Sequence, residues 1–307
     1  MKSTRMVERS ALDAAAARSF AAAARFRASE PYRALEAAFS VPAVEDAVVA
    51  VLADTGWVGA LIAPLVAALS DDPWFEPPFR VARDGLRIGT VVFENPVVSI
   101  AATVLSADAL AVLPPPQTVV VPGRLTLTRY VRAGEARLRL WDAEPMGPDF
   151  SAATARPCSA APDLVLRDGA VVRLDGRTRG HLIDGARSDV VTLNATIRTE
   201  TAPYAREYAI ETGALVRVAT NDDRAARTQM LLAYLRLAQR PGAQERFAAA
   251  TRDPAFFLRW GAMREWLAID TRAALPRLRE MAEADPNAEV RAAATATLAL
   301  VEERIAA

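Results

Sequence analysis

The chain is 307 residues long, enough for about two domains with a buried core. Its 37 Lys and Arg balance 37 Asp and Glu, so no net field draws the molecule to nucleic acid or to an anionic membrane surface. One cysteine, Cys158, and one histidine, His181, exclude an internal disulfide, a thiolate zinc cage and any metal site built on several imidazoles.

Residues 5 to 27 are Ala-rich and predict a helix by propensity more than by an apolar face, with Leu12, Phe20 and Phe26 scattered among arginines. Glu8, Asp13 and Arg18 interrupt the stretch, so no signal-peptide core forms behind Lys2 and Arg5. Clustered apolar residues predict further helices near 30 to 39, 43 to 53 and 57 to 69. The longest uncharged run, Thr55 to Ser70, is broken by Pro64 and is short for a bilayer, so the expectation is a cytoplasmic protein with no membrane partner. Residues 1 to 72 are thus expected to form an N-terminal helical unit.

At Asp72-Pro73-Trp74-Phe75-Glu76-Pro77-Pro78 the pattern breaks, and apolar residues then alternate over short runs. Strands are predicted at 79 to 83, 86 to 93, 97 to 105, 108 to 113, 117 to 121, 124 to 132 and 135 to 142. A second group follows at 163 to 167, 170 to 175, 178 to 184, 188 to 199, 205 to 211 and 214 to 219. Asp84-Gly85, Asp168-Gly169, Asp175-Gly176 and Asp184-Gly185 are each hairpin-type dipeptides, because Gly tolerates the positive φ of a primed turn. This rhythm predicts an antiparallel barrel or sandwich over 73 to 219, with a long proline-bearing loop at 143 to 162.

After Val218 the period becomes helical again. Thr220-Asn221-Asp222-Asp223 reads as a capping box, followed by an apolar stripe through Met230, Leu231, Tyr234, Leu235 and Ala238. Phe256, Trp260, Met263 and Leu267 form an aromatic stripe at helical spacing, widened by Phe257 and Trp266 and expected to fill a junction with the rest of the chain. Asp253-Pro254 recurs 32 positions later as Asp285-Pro286, each read as an N-cap with Pro at the first helical position, and Arg259, Ala262 and Trp266 align with Arg291, Ala294 and Leu298. A period in the low thirties made of paired helices marks a solenoid.

Two resemblances emerge from these residues. Leu275-Pro276-Arg277-Leu278, the Asp285-Pro286 turn, Val290-Arg291 and Ala293-Ala294 resemble a HEAT repeat, which implies a protein partner or self-association through residues 220 to 307. The run from Leu127 to Leu140, with the later segment from Asp168-Gly169 to Ile197, is similar in strand rhythm to the cupin family. A metal-binding cupin uses several histidines and a glutamate pointing into one barrel, so with one histidine the resemblance implies no metal and no cofactor. The fold class expected is therefore α+β and multidomain: an N-terminal helical unit, a central cupin-like antiparallel barrel or sandwich, and C-terminal HEAT-like helices.

Candidate functional residues follow. His181 alternates onto one face with Ile183 and could serve as a lone general base or as a structural imidazole. Cys158 has no neighbouring base, Asp175 and Asp184 serve turns beside Gly, and no glycine loop leads from a strand into a helix to cradle phosphate. Lys2 is the only lysine, so arginine carries the positive charge; a GC-rich genome explains this, and anion recognition is the functional alternative. For an anionic small molecule the candidate ligands are Arg129, Arg137, Arg139, Arg173 and Arg179; for a protein partner they are Trp260, Arg264 and Trp266. The first reading is a non-enzymatic interaction, scaffold or regulatory protein, and the alternative is a metal-independent sensor or enzyme that uses the barrel cavity.

Overall fold

The computed structural model describes residues 9–72, 74–79, 81–146, 150–240 and 242–306. Four helices open the chain: α1 (Arg9–Ala28), α2 (Glu30–Ala38), α3 (Val44–Ala53) and α4 (Gly56–Asp71). Strands β1 (Val81–Arg83), β2 (Arg87–Glu94) and β3 (Val98–Leu105) follow, then α5 (Ala107–Val112). Next come β4 (Thr118–Val121), β5 (Leu125–Arg132), β6 (Arg137–Asp142), a 3-10 turn (Ala152–Thr154), β7 (Ser159–Val165), β8 (Val171–Asp175), β9 (Arg179–Asp184), β10 (Val190–Ile197), β11 (Tyr204–Ala209) and β12 (Leu215–Thr220). The chain closes with α6 (Asp223–Leu237), α7 (Gln244–Ala250), α8 (Phe256–Ile269), α9 (Thr271–Ala284) and α10 (Ala288–Ala306).

One strand expectation is corrected: residues 108 to 113 belong to α5. Ser106 caps this helix by accepting from the Ala109 N–H, and Asp189 accepts from the Ala107 N–H. Two free N–H groups at the first turn are thereby satisfied, and the Asp-Ala-Leu-Ala run carries no β-branched residue to favour a strand.

Among the described residues the pairings β1–β2, β2–β3, β3–β10, β10–β5, β5–β8, β4–β11, β6–β7 and β6–β9 are antiparallel. One sheet runs β1-β2-β3-β10-β5-β8, and two smaller ones run β12-β11-β4 and β7-β6-β9. The smaller two meet edge to edge, because Gly180 of β9 comes so close to β4 that a Cβ there would stand 2.8 Å from the Val120 carbonyl oxygen. Strands β3 to β10 therefore form two facing sheets of order 3-10-5-8 and 4-9-6-7, the strand order of a jelly roll. Three of the four Asp-Gly dipeptides lie where the chain crosses from one of these sheets to the other, after Leu166, β8 and β9; only Asp84-Gly85 joins paired neighbours.

The N-terminal helices do not form a body of their own. Phe39, Val48 and Leu52 pack with Phe93, Ile100 and Leu127 on the outer face of the larger sheet, all nearly or wholly buried. Each such side chain contributes about 1.5–3 kcal/mol by leaving water. Helices α1 to α5 and strands β1 to β11 belong to one compact unit, residues 1–148 and 156–217, while residues 149–155 and 218–307 form a second. Among the described residues no single helix is long and apolar enough to cross a membrane; α3 and α4 reach that composition only as a pair bent by 72°.

In the second unit α8 packs against both α6 and α7, and α10 packs against both α9 and α8. The aligned positions do the same work: Ala262 and Ala294 are fully buried, and Trp266 and Leu298 lie in the same core. The expectation that Asp253 and Asp285 are the N-caps is corrected: each Asp stands two residues ahead of the observed cap, Ala255 for α8 and Asn287 for α10. Asp253 accepts from the Ala255 N–H and Asp285 from the Asn287 N–H, forming a turn before each helix, and Asn287 itself caps α10 through Val290. The cap of α6 is Asp222, which accepts from the Arg224 and Ala225 N–H groups, while Thr220 accepts from Asp222. The aromatic stripe fills this unit's own interior, where Phe247, Leu258, Met263 and Trp266 pack with Leu278 and Met281.

Candidate functional site

The register of β6 with β9 sets His181 opposite Leu140 and Arg179 opposite Asp142. Leu138, Leu140 and Ile183 share that face and belong to the core between the two sheets, so His181 points into the jelly roll. From the other sheet the inward face of β5 and β10 offers three cross-strand polar pairs: Tyr130 with Thr192, Thr128 with Asn194 and Thr126 with Thr196. Asn194 Nδ2 donates to Thr128 Oγ1 at 2.7 Å, and Thr196 Oγ1 donates to Asn194 Oδ1 at 3.2 Å. The opposite faces of the same strands carry Leu127, Leu193 and Ala195, which pack under the N-terminal helices. Period-two alternation thus splits each strand into an apolar outer face and a polar inner one.

His181, Tyr130 and Thr192 make no side-chain hydrogen bond among the described residues. The imidazole is only half-buried, yet desolvation pushes its pKa down and no charged neighbour acts on it, so it is neutral at pH 7. Burial pushes the Tyr130 phenol up, so it remains a neutral donor. On the inward side Arg179 pairs with Asp142, bidentate at 2.6 and 3.0 Å, and the Asp142 hydrogen bonds hold the guanidinium pKa above its ordinary value. Among the described residues no group of three or more His, Cys, Asp or Glu side chains could hold a metal ion. Chemically, the interior can donate and accept hydrogen bonds with uncharged groups.

The five candidate arginines do not converge. Arg129 caps the C-terminus of α3, donating to the Leu52 and Ala53 carbonyls at 3.0 and 3.1 Å, where a cation complements the helix dipole. Arg173, on the same outer side of that sheet, pairs with Glu45 of α3. Arg137 binds Asp184 and Asp163, and Arg139 stacks over Trp141 with 5.0 Å to the ring centroid, both on the outer face of the smaller sheets. Only Arg179 looks inward, and Asp142 neutralises it.

Of the three partner candidates, Trp266 is buried with an unsatisfied Nε1, Trp260 is half-buried against the same core, and Arg264 is exposed. Cys158 lies buried beside Val119, Trp141 and Tyr208, and desolvation raises its thiol pKa, which leaves it unreactive. The polar inner ribbon was not among the sequence candidates. Its signal was present in Leu125-Thr126-Leu127-Thr128 and in Thr192-Leu193-Asn194-Ala195-Thr196, where polar residues recur at i and i+2.

The sequence matches no protein-family model and no curated protein. Solved structures similar to the chain include a Momordica charantia 7S globulin, at 13% identity over 43% of this chain with a TM-score of 0.27. A cupin-superfamily sugar phosphate isomerase from Silicibacter pomeroyi matches 45% of this chain and 78% of its own at 11% identity and a TM-score of 0.23. A DMSP lyase structure matches 62% of this chain and 95% of its own at 14% identity and a TM-score of 0.26. The chain spans 35% of the length of the 7S globulin. The jelly-roll assignment rests on the strand order itself.

Proposed function

We propose that this protein acts by binding rather than by turnover: a cytosolic scaffold or regulatory protein in which a cupin-like domain without metal chemistry is joined to HEAT-like helices that take a protein partner. The carrying observation is the state of its only imidazole, which faces inward and, among the described residues, has no carboxylate, no cation and no hydrogen bond to set its orientation or basicity. A general base needs such a partner to be tuned and aimed, and His181 has none. Support for the HEAT-like reading comes from the paired Asp-Pro turns. Arg259 Nη1 donates to the Asp253 and Pro254 carbonyls and Arg291 Nη1 to the Asp285 carbonyl, the same bond one period later.

The test is affinity capture with the full chain from an extract of its source cells. A stoichiometric partner held by the wild type and lost on Arg264→Glu supports the reading. Capture of nothing, or turnover of a substrate abolished by His181→Gln, overturns it.

The inner ribbon favours a second reading, a small-molecule sensor. With Arg179 neutralised by Asp142, the ligand it suits is uncharged and hydroxyl-bearing rather than anionic. A thermal-shift screen of uncharged polyols against carboxylates and phosphates separates these two ligand classes.

A further inference from the structure

A cleft of about 400 Å³ opens between the two Asp-Pro turns of the helical unit, with Pro254 and Pro286 at its edges and Arg252 and Glu280 at its exposed mouth. Beneath lies the buried pair of Arg259 and Asp285. Three guanidinium groups and three carboxylates line the cleft, yet they do not cancel within it. Arg259 holds Asp285 bidentately, and Arg224, which stands outside the cleft, holds Asp253. That leaves Glu280 shared between Arg252 and Arg277, one carboxylate for two cations. Arg277 is fixed in place: its Nε donates to Thr251 Oγ1 at 3.2 Å and its Nη2 to the Thr251 carbonyl at 2.7 Å. Thr251 is fully buried, the Arg277 side chain is 13% exposed, and its remaining Nη1 meets Glu280 at 2.6 Å. Arg252 reaches Glu280 from the turn after α7 at 3.2 Å. Helices α8 and α10 begin two residues beyond the lining prolines, so their positive ends add to the excess.

We infer that this cleft is a binding site for a carboxylate group, and that Glu280 occupies it in the free protein as a displaceable stand-in. The inference rests on the reading of the helical unit as a partner-binding surface and names the group that surface takes. Glu280 shows what the position accepts: a planar carboxylate with Oε1 toward Arg277 and Oε2 toward Arg252. It is also weakly held. Its side chain is 53% exposed, and ion pairs this open to water contribute little. An incoming carboxylate that swings Glu280 out into solvent keeps both arginines paired. Thr251 orients Arg277 beforehand, so that guanidinium needs no reordering to take the newcomer. The planar fork of each guanidinium matches a carboxylate from either a small free acid or an acidic side chain.

The experiment follows the arginine side-chain N–H resonances of the full chain by NMR during titration with succinate, inorganic phosphate and an acetylated tetraglutamate peptide. Glu280→Gln is expected to bind succinate and the peptide roughly fivefold more tightly than the wild type, because the stand-in is gone. Adding Arg252→Gln to Glu280→Gln should weaken that binding roughly tenfold, and adding Arg277→Gln should weaken it further. Arg252 is exposed, so its variant should keep the wild-type melting transition and carries the test even where Arg277→Gln loosens the turn at Thr251. Tighter binding of the peptide than of succinate supports a site for an acidic side chain of a protein partner, and equal affinity supports a site for a small free acid. Phosphate bound more tightly than either, affinity unchanged by Glu280→Gln, or no titration in any variant overturns the inference. A protein that captures its partner through Arg264 while ignoring every carboxylate overturns it and leaves the proposed function standing.

Discussion

Arg259 and Asp285 hold each other through two parallel hydrogen bonds, Nε to Oδ2 at 2.9 Å and Nη2 to Oδ1 at 2.6 Å, with side chains only 7% and 1% exposed. Arg259 springs from α8 and Asp285 from the turn before α10, so the pair stitches one helical hairpin to the next. Arg224 and Asp253 repeat the arrangement one hairpin earlier in a more exposed form. Removing one partner strands a buried charge, which costs about 3–5 kcal/mol. Asp285→Ala should therefore lower helical-unit stability by that amount in urea denaturation. The double variant Arg259→Met with Asp285→Leu should recover most of the loss, since neither charge then needs solvation. Equal losses in single and double variants would contradict the stitch.

Acid should act on the same joint. Desolvation alone would raise the Asp285 pKa, but hydrogen bonds from Arg259 and the Asn287 N–H outweigh it and hold the carboxyl below its ordinary value. Asp253 behaves alike, with Arg224 and the Ala255 N–H overcoming desolvation. A depressed carboxyl contributes stability above its unfolded pKa and loses it as pH falls through the folded one. The helical unit should weaken below about pH 4, followed by helix circular dichroism against pH, and Asp285→Asn should flatten that dependence.

His181 acts with the same sign in a higher pH range. Its folded pKa is depressed by desolvation, so protonation favours the unfolded chain, and the contribution present above about pH 6.5 is lost as pH falls. The single imidazole resonance in NMR should keep its neutral shift well below the usual midpoint. A midpoint at or above the ordinary value would mean that a carboxylate reaches the ring.

Gly134 adopts φ +63°, and a Cβ there would stand 2.2 Å from the Ser188 carbonyl oxygen. Gly134→Ala combines a left-handed backbone with a direct collision, and should cost about 1–3 kcal/mol or more in chemical denaturation of the jelly-roll unit. Gly185 has φ +69° with open space around it, so Gly185→Ala should cost less.

Much of the fold was legible because it is local. Most strand positions followed from period-two alternation, and α2 and α3 from clustered valines, leucines and alanines; β7, by contrast, begins at Ser159 inside the loop expected at 143 to 162, because sheet pairing with β6 rather than a local pattern orders it. The 32-residue echo located Ala262, Ala294 and the Asp-Pro turns. Topology was less legible: Asp-Gly specifies a reversal of direction but not which sheet receives the next strand, so Asp168-Gly169, Asp175-Gly176 and Asp184-Gly185 read as hairpins and fold as crossings. The N-terminal helices looked autonomous because their stripe is apolar, and nothing in α3 reveals that Val48 and Leu52 are completed by Leu127 on β5. In the site, His181 was visible by rarity alone. Its polar surroundings were hidden because Thr128 and Asn194 are 66 residues apart and meet only through sheet pairing.

The position of β10 between β3 and β5 has a consequence for how the chain is made. Val98 lies opposite Ile197, so the central strand of the larger sheet is supplied almost a hundred residues after its neighbour. During synthesis the four leading helices leave the ribosome long before the surface they cover exists. Their apolar sides must wait, shielded by one another or by a chaperone, until Ile197 has emerged. The trailing helices make mostly short-range contacts and can collapse as they appear, so the vulnerable interval of this molecule is the synthesis of the stretch between Val98 and Ile197.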